Sequence, residues 1–153
     1  MPLGTTANKQ GRIAGENAVG GDIRFAGVAG TNVTKIFGLE VAQTGLSTVV
    51  ADREGFEPDS VRISGTTRAH AYPGGGRITV KLIFDRNTGR LLGGQMVGVE
   101  GAAKRIDTLA AALAAQMDVR ALASLDLSYA PPFAPVWDPI LIAANQAVKK
   151  LAQ

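Results

Sequence analysis

The sequence predicts an α+β domain, an antiparallel β-sheet flanked by helices. Three observations carry that prediction. In the middle of the chain Ile78, Val80, Leu82 and Phe84 alternate with Thr79, Lys81 and Asp85, the period of two of strands with one buried face. A short loop with glycine near its end, Asp85-Arg86-Asn87-Thr88-Gly89-Arg90, joins this run to the next and suits a hairpin, hence antiparallel pairing. Towards both ends of the chain the apolar residues recur at helical spacing instead.

The elements follow in order. Residues 7–19 read as a helix through Ile13, Ala14 and Ala18, stopped by Gly20-Gly21. Small residues at 11, 14, 15 and 18 give it a smooth face, suited to close packing against a neighbouring element or to something large and flat. Residues 25–30 read as a crossing segment. A second helix is expected next, capped by Thr31 or Asn32, with Val33, Ile36, Phe37 and Val41 as its stripe and Gly45 as a terminator tolerant of positive φ. Residues 46–51 read as a short Val-rich strand, and Val61 and Ile63 alternate with Arg62 and Ser64 in another. A flexible loop, Tyr72-Pro73-Gly74-Gly75-Gly76, leads into the alternating run at 78–84, and residues 91–98 return from the hairpin. Ala102, Ile106, Leu109, Ala110, Leu113 and Met117 mark a long helix, and Asp118 caps a short one. The last helix starts with Asp138 as cap and Pro139 at the first helical position, where a missing N–H costs nothing.

Composition excludes several function classes. The chain has 153 residues, 46% apolar and 19% charged, which suits one folded domain and not a disordered chain. It has no cysteine, which removes zinc ribbons, iron–sulfur sites and any thiol mechanism carried by this chain itself. Its single histidine, His70, leaves no His-rich metal site, and no metal is expected. The net charge of +3 is spread along the chain, so Lys104-Arg105 and Lys149-Lys150 read as solvated helix faces and no nucleic acid is expected. Lys149-Lys150 also suits the C-terminal end of a helix dipole. No apolar run approaches the ~18 residues of a membrane span, and the start lacks the pattern of a signal peptide. The expectation is a cytoplasmic protein with no membrane partner. The start itself, Pro2-Leu3-Gly4, reads as a turn and not a domain edge, as expected of a piece of a longer chain.

Motifs for phosphate binding and nucleophilic catalysis do not match. Gly27-Val28-Ala29-Gly30-Thr31 lacks the phosphate-loop spacing, and Gly93-Gly94-Gln95-Met96-Val97-Gly98 lies within a strand pattern. No serine sits in a nucleophile elbow. Residue by residue, His70 reads as a surface or loop histidine and not a base, and Tyr72 as a loop aromatic that could also reach another surface. The informative stretch is Tyr129-Ala130-Pro131-Pro132-Phe133-Ala134-Pro135-Val136-Trp137-Asp138-Pro139. Its prolines fix φ and remove backbone donors, so it cannot join a helix or sheet interior. Its aromatics are too apolar to leave in water. They call either for packing on the domain's own sheet or for docking against another surface, with self-association favoured.

That stretch resembles the dimerisation-domain motif of one branch of the pyridine nucleotide–disulphide oxidoreductases, which holds NADH oxidases, NADH peroxidases and coenzyme A-disulphide reductases. Asn8-Lys9-Gln10-Gly11-Arg12-Ile13-Ala14-Gly15-Glu16-Asn17-Ala18, followed by Gly27-Val28-Ala29-Gly30-Thr31, resembles the end of that family's FAD domain. The two motifs stand in the family's order, and the resemblance extends over nearly the whole chain. The resemblance implies that residues 1–27 are the last part of an FAD-binding domain and residues 28–153 a dimerisation domain. The FAD fingerprint, the redox-active cysteine and the NAD(P)H domain would precede this chain, which would then be inactive alone.

In the parent that the resemblance implies, NAD(P)H reduces FAD, and electrons pass through the cysteine to a disulphide, a peroxide or oxygen; the flavin carries the chemistry. Ala7, Asn8, Lys9 and Gly11 would lie near the flavin. Tyr129 would reach across a homodimer towards the partner's substrate site. His70 and Tyr72 sit in a loop that looks like the family's His-Ala…Tyr-Tyr-Pro-Gly loop, a second cross-subunit contributor, here shorter and with one tyrosine. Phe133, Val136 and Trp137 would lie at or near the interface. No histidine follows the proline-rich segment, which argues against the glutathione reductase branch. The reading is therefore a coenzyme A-disulphide reductase-like dimerisation domain. The alternatives are the same domain of an NADH oxidase or peroxidase, and a free-standing homodimerisation module without redox role.

Overall fold

A computed structural model describes residues 3–153. Of the turn expected at the start, Pro2 lies outside the described residues, and Gly4 is already helical. The order is α1 (Gly4–Ala18), β1 (Asn32–Ile36), β2 (Leu39–Gly45), α2 (Thr48–Arg53), β3 (Pro58–Thr66), β4 (Arg77–Asp85), β5 (Leu91–Gly98), α3 (Ala102–Ala114), α4 (Val119–Ala123) and α5 (Pro139–Leu151). The five strands form one sheet in the order β1-β2-β5-β4-β3, every neighbour antiparallel. The α+β class with an antiparallel sheet flanked by helices is thus the observed one.

Two elements differ from the expectation. The helix expected over residues 31–45 is the β1–β2 hairpin, in which Ile36 pairs with Leu39 around Phe37-Gly38. Val33, Ile36, Phe37 and Val41 satisfy helical spacing by coincidence. The run of Thr31, Val33, Thr34 and Ile36 is β-branched, and β2 is held by full pairing with β5 from Glu40↔Gly98 to Gly45↔Gly93. Conversely, the Val-rich strand expected at 46–51 is the one-and-a-half-turn helix α2. Ser47 caps it by accepting from the Val50 amide at 3.2 Å. Gly45 does take a positive φ, 69°, but at the end of a strand.

The core lies between the sheet and the helices on one face. Ile78, Val80 and Leu82 of β4 and Met96 of β5 pack against Ile106 and Leu109 of α3 and Ile140 and Ala144 of α5. A smaller cluster on the opposite face joins Ile83 and Leu92 to Ala51 of α2. Glycines in β5 allow this packing: a Cβ on Gly94 would overlap the Leu109 side chain, and one on Gly93 the Leu46 carbonyl oxygen. Both glycines are structural, as their strand pattern implied. At the β4–β5 loop Asp85 accepts from the Thr88 hydroxyl and amide, both at 2.8 Å, and from the Glu57 amide at 3.2 Å. Asp118 and Asp138 cap α4 and α5 with their side chains, each as expected.

Helix α1 stands apart. Thr6 is its one buried residue, and nothing lies within 4 Å of a Cβ built on Gly11 or Gly15. Its small-residue face is therefore not closely packed by any other element among the described residues. Asn17 ties the helix to the following segment by a reciprocal pair of 2.9 Å hydrogen bonds with the backbone of Ile23.

Candidate functional site

The two segments singled out by the sequence meet at the end of β3. The chain turns sharply at Thr67 and runs through His70 and Tyr72 back to β4. The Thr67 amide donates to the Gly76 carbonyl, and its hydroxyl accepts from the Gly76 amide, which closes the loop at its base. The proline-rich segment lies alongside, with the Ala69 amide donating to the Pro131 carbonyl at 3.1 Å. Prolines leave this segment few donors of its own, so neighbouring groups supply the bonds that hold it.

Two ion pairs frame the contact. Glu100, just beyond β5, accepts from Arg68 Nε at 2.7 Å and Nη2 at 2.8 Å, a bidentate pair, and from the Thr67 hydroxyl at 2.7 Å. Arg68 Nη1 also donates to the Pro73 carbonyl, which braces the loop from inside. The Arg68 hydrogen bonds, with help from Thr67, hold the Glu100 carboxyl below its ordinary value against the opposing effect of burial, and Arg105 adds to the same field. The second pair joins α3 to α5: Arg105 Nε donates to Asp138 Oδ2 at 2.7 Å, while Asp138 Oδ1 caps the helix. Arg105 Nη2 donates to the carbonyls of Thr67 and Phe133, both at 3.2 Å.

Between them lies a cavity of about 380 Å3 lined by Arg68, Tyr72, Glu100, Arg105, Pro132 and Phe133. The structure thus brings the Tyr72 loop and the proline-rich segment to one surface. His70 and Tyr72 are exposed on the loop, and Tyr129 is half exposed. Phe133, Val136 and Trp137 are 78%, 65% and 60% exposed, so they are not packed on the domain's own sheet. Ala7, Asn8, Lys9 and Gly11 lie elsewhere, exposed on α1; Lys9 lines a separate groove with Thr5, Thr6, Gly27, Ala29 and Ala110.

Sequence reasoning missed Thr67, Arg68, Glu100 and Arg105. Arg105 corrects an expectation directly: its side chain is 12% exposed and ion-paired, whereas Lys104 is the solvated residue of that dipeptide. The available signal was position. Arg105 falls three residues after Ala102 and four before Leu109, inside the apolar stripe of α3. Among the described residues no group of histidine and acidic side chains could hold a metal ion, and no helix is long and apolar enough to cross a membrane.

The dimerisation-domain model of the pyridine nucleotide-disulphide oxidoreductases matches residues 31–139. The chain belongs to this family. The chain spans about a third of the length of the curated relatives it matches. It is 44% identical over 95% of its length to an NAD(P)H sulfur oxidoreductase (CoA-dependent) of Pyrococcus furiosus, covering 33% of that protein. It is 38% identical over 99% of its length to an NADH oxidase of Methanocaldococcus jannaschii, covering 34% of that protein. Among solved structures, the NAD-dependent persulfide reductase of A. fulgidus superposes with a TM-score of 0.92 at 42% identity, over 97% of this chain and 28% of that one. The matched residues, 31–139, include all five strands of the sheet and the proline-rich segment.

Proposed function

We propose that this chain is the dimerisation domain of an FAD- and NAD(P)H-dependent disulphide oxidoreductase of the coenzyme A-disulphide reductase kind, acting as a homodimer. Residues 28–153 form the dimerisation domain and residues 1–27 the end of an FAD-binding domain. One observation carries the reading. Phe133, Val136, Trp137 and Tyr129 are held by a rigid, hydrogen-bonded segment yet left largely in water, which is the signature of a surface covered by another subunit. The sulfur-directed relative at 44% identity supports the same direction.

In this reading Tyr129, together with Tyr72 and His70 on the loop that the proline-rich segment contacts, extends across the dimer towards the partner's substrate site. A phenol there offers a hydrogen-bond donor to a departing thiolate sulfur. Phe133, Val136 and Trp137 fill the interface, which in such obligate dimers buries more than ~2,000 Å2. The residues of α1 fit a flavin nearby: Ala7, Asn8, Lys9 and Gly11 are exposed, and the space over Gly11 is open. FAD, when bound, supplies the two-electron relay between NAD(P)H and the disulphide, and the present chain alone is inactive. The identity to an NADH oxidase over 99% of the chain favours a second reading, the same domain with oxygen or peroxide as acceptor.

The test joins the chain to the domains that precede it in the family. The longer protein should bind FAD and oxidise NAD(P)H; if it does neither, the reading fails, and a free-standing dimerisation module remains. In that protein Tyr129→Phe should lower disulphide reduction while leaving flavin reduction by NAD(P)H intact, as read by stopped-flow of the two half-reactions. Equal loss in both would refute the role of Tyr129.

A further inference from the structure

We propose that Arg105 is the positioning residue that sets the Tyr129 segment against the His70–Tyr72 loop, so that one guanidinium fixes the relation between two elements far apart in sequence. The inference deepens the reading of Tyr129 and Tyr72 as substrate-side residues and rests on it for its functional consequence.

The argument is one of supply and demand for hydrogen bonds. Pro131, Pro132 and Pro135 have no N–H. Within the segment, Phe133 and Ala134 turn back on the Ala130 carbonyl, which shapes it locally but ties it to nothing else. Among the described residues, its hydrogen bonds to the rest of the domain ahead of α5 are the Ala69–Pro131 backbone bond and those from Arg105. Arg105 reaches three acceptors from three places. These are the Asp138 carboxylate where the segment ends, the Phe133 carbonyl in its middle, and the Thr67 carbonyl at the base of the loop. Thr67, 1% exposed, is the common post, because its hydroxyl binds Glu100, and Glu100 binds Arg68, which in turn holds Pro73.

The chemistry requires arginine. Its donors lie in a planar fork that can address a carboxylate and two carbonyls at once from a fixed rotamer. A lysine would keep the charge beside Asp138 but concentrate its donors at one point, and would leave the Phe133 or Thr67 carbonyl without its partner. Arg105 is placed on α3, the helix whose Ile106 and Leu109 are fully buried in the core, so the fork springs from a helix anchored there.

The test uses Arg105→Lys and Arg105→Gln in the full 153-residue chain. Amide hydrogen exchange at Ala69 and Ala134 should speed at least tenfold in both variants, with Val80 and Leu82 of the core unchanged. The single tryptophan, Trp137, adjoins Asp138, and its fluorescence should become more accessible to acrylamide. Unchanged exchange at Ala69 and Ala134 in Arg105→Lys would overturn the proposal. So would an equal rise at Val80 and Leu82, which would mean general destabilisation. If Arg105→Gln does not fold, Arg105→Lys alone decides. In the flavoprotein dimer, Arg105→Lys should slow disulphide reduction severalfold with flavin reduction unchanged. If Tyr129→Phe slows that step and Arg105→Lys does not, positioning by Arg105 is wrong. If neither does, the substrate-side reading of Tyr129 is what fails.

Discussion

At the scale of single residues, the acidic side chains of this domain act mostly as anchors for backbone. Asp85 is the clearest case. Burial pushes its carboxyl up, but bonds accepted from the Thr88 hydroxyl and from the Thr88, Glu57 and Asn87 amides outweigh burial and hold it below its ordinary value. A carboxyl lowered on folding adds stability that is fully present above the unfolded value and is lost as pH falls through the folded one. Asp85→Asn puts an amide N–H where a donor now points, and should cost about 1–3 kcal/mol at pH 7. The difference from the parent chain should begin to shrink below about pH 4, where the unfolded chain's carboxyl takes up a proton, and should close as pH falls through the lower folded value. Urea denaturation of both proteins at pH 7 and pH 3 checks this; a gap that is the same at both would rule out the carboxylate as its source.

At the scale of elements, the packing of α3 onto β5 depends on the absence of side chains. Gly94→Ala would push against the end of a flexible Leu109 side chain, whereas Gly93→Ala would meet the backbone of Leu46. Overpacking of this kind costs roughly 1–3 kcal/mol, and more where the neighbour cannot move. Both variants should unfold at lower urea than the parent, with Gly93→Ala the worse of the two. The reverse order would show that α3 and not the Leu46 backbone is the tighter constraint. The same scale explains the two misread elements. Helix and strand periods coincide over short apolar runs. A β-branched segment such as Asn32–Ile36 becomes a strand because Leu39–Gly45 finds β5, about fifty residues away in the chain. Thr48–Arg53 becomes a helix although Val49 and Val50 favour strand, because Ser47 caps it and Ala51 fills the gap beside Ile83 and Leu92.

At the scale of the whole molecule, apolar surface is distributed unevenly. The helix-covered face of the sheet is closed, while the segment at 133–137 leaves Phe133, Val136 and Trp137 in solvent. Binding energy at such surfaces concentrates in a few buried aromatics. The chain should therefore self-associate in the micromolar range, and Trp137→Ala should weaken association at least tenfold without lowering the thermal midpoint of the monomer. Light scattering and sedimentation across a concentration series give the answer; a clean monomer at tens of micromolar would remove the interface from this segment.

Much of this was legible beforehand, for reasons that are local. The strands at 58–98, the Asp85–Arg90 hairpin and the Asp118 and Asp138 caps depend on neighbours within a few residues, which the sequence displays directly. The family, too, was visible in motifs that are continuous in the chain, at residues 8–18 and 129–139. By itself, then, the sequence determined the fold class, the order of most elements and the presence of a rigid aromatic segment that no helix or sheet could absorb. Only the tertiary structure decided which charges are solvated and which are structural. Lys104 and Arg105 are adjacent, yet one stands in water while the other bridges Thr67, Phe133 and Asp138. Those partners lie 28 to 38 residues from Arg105, and no local pattern records a hydrogen bond whose acceptors arrive only when the sheet and three separate segments have closed around it.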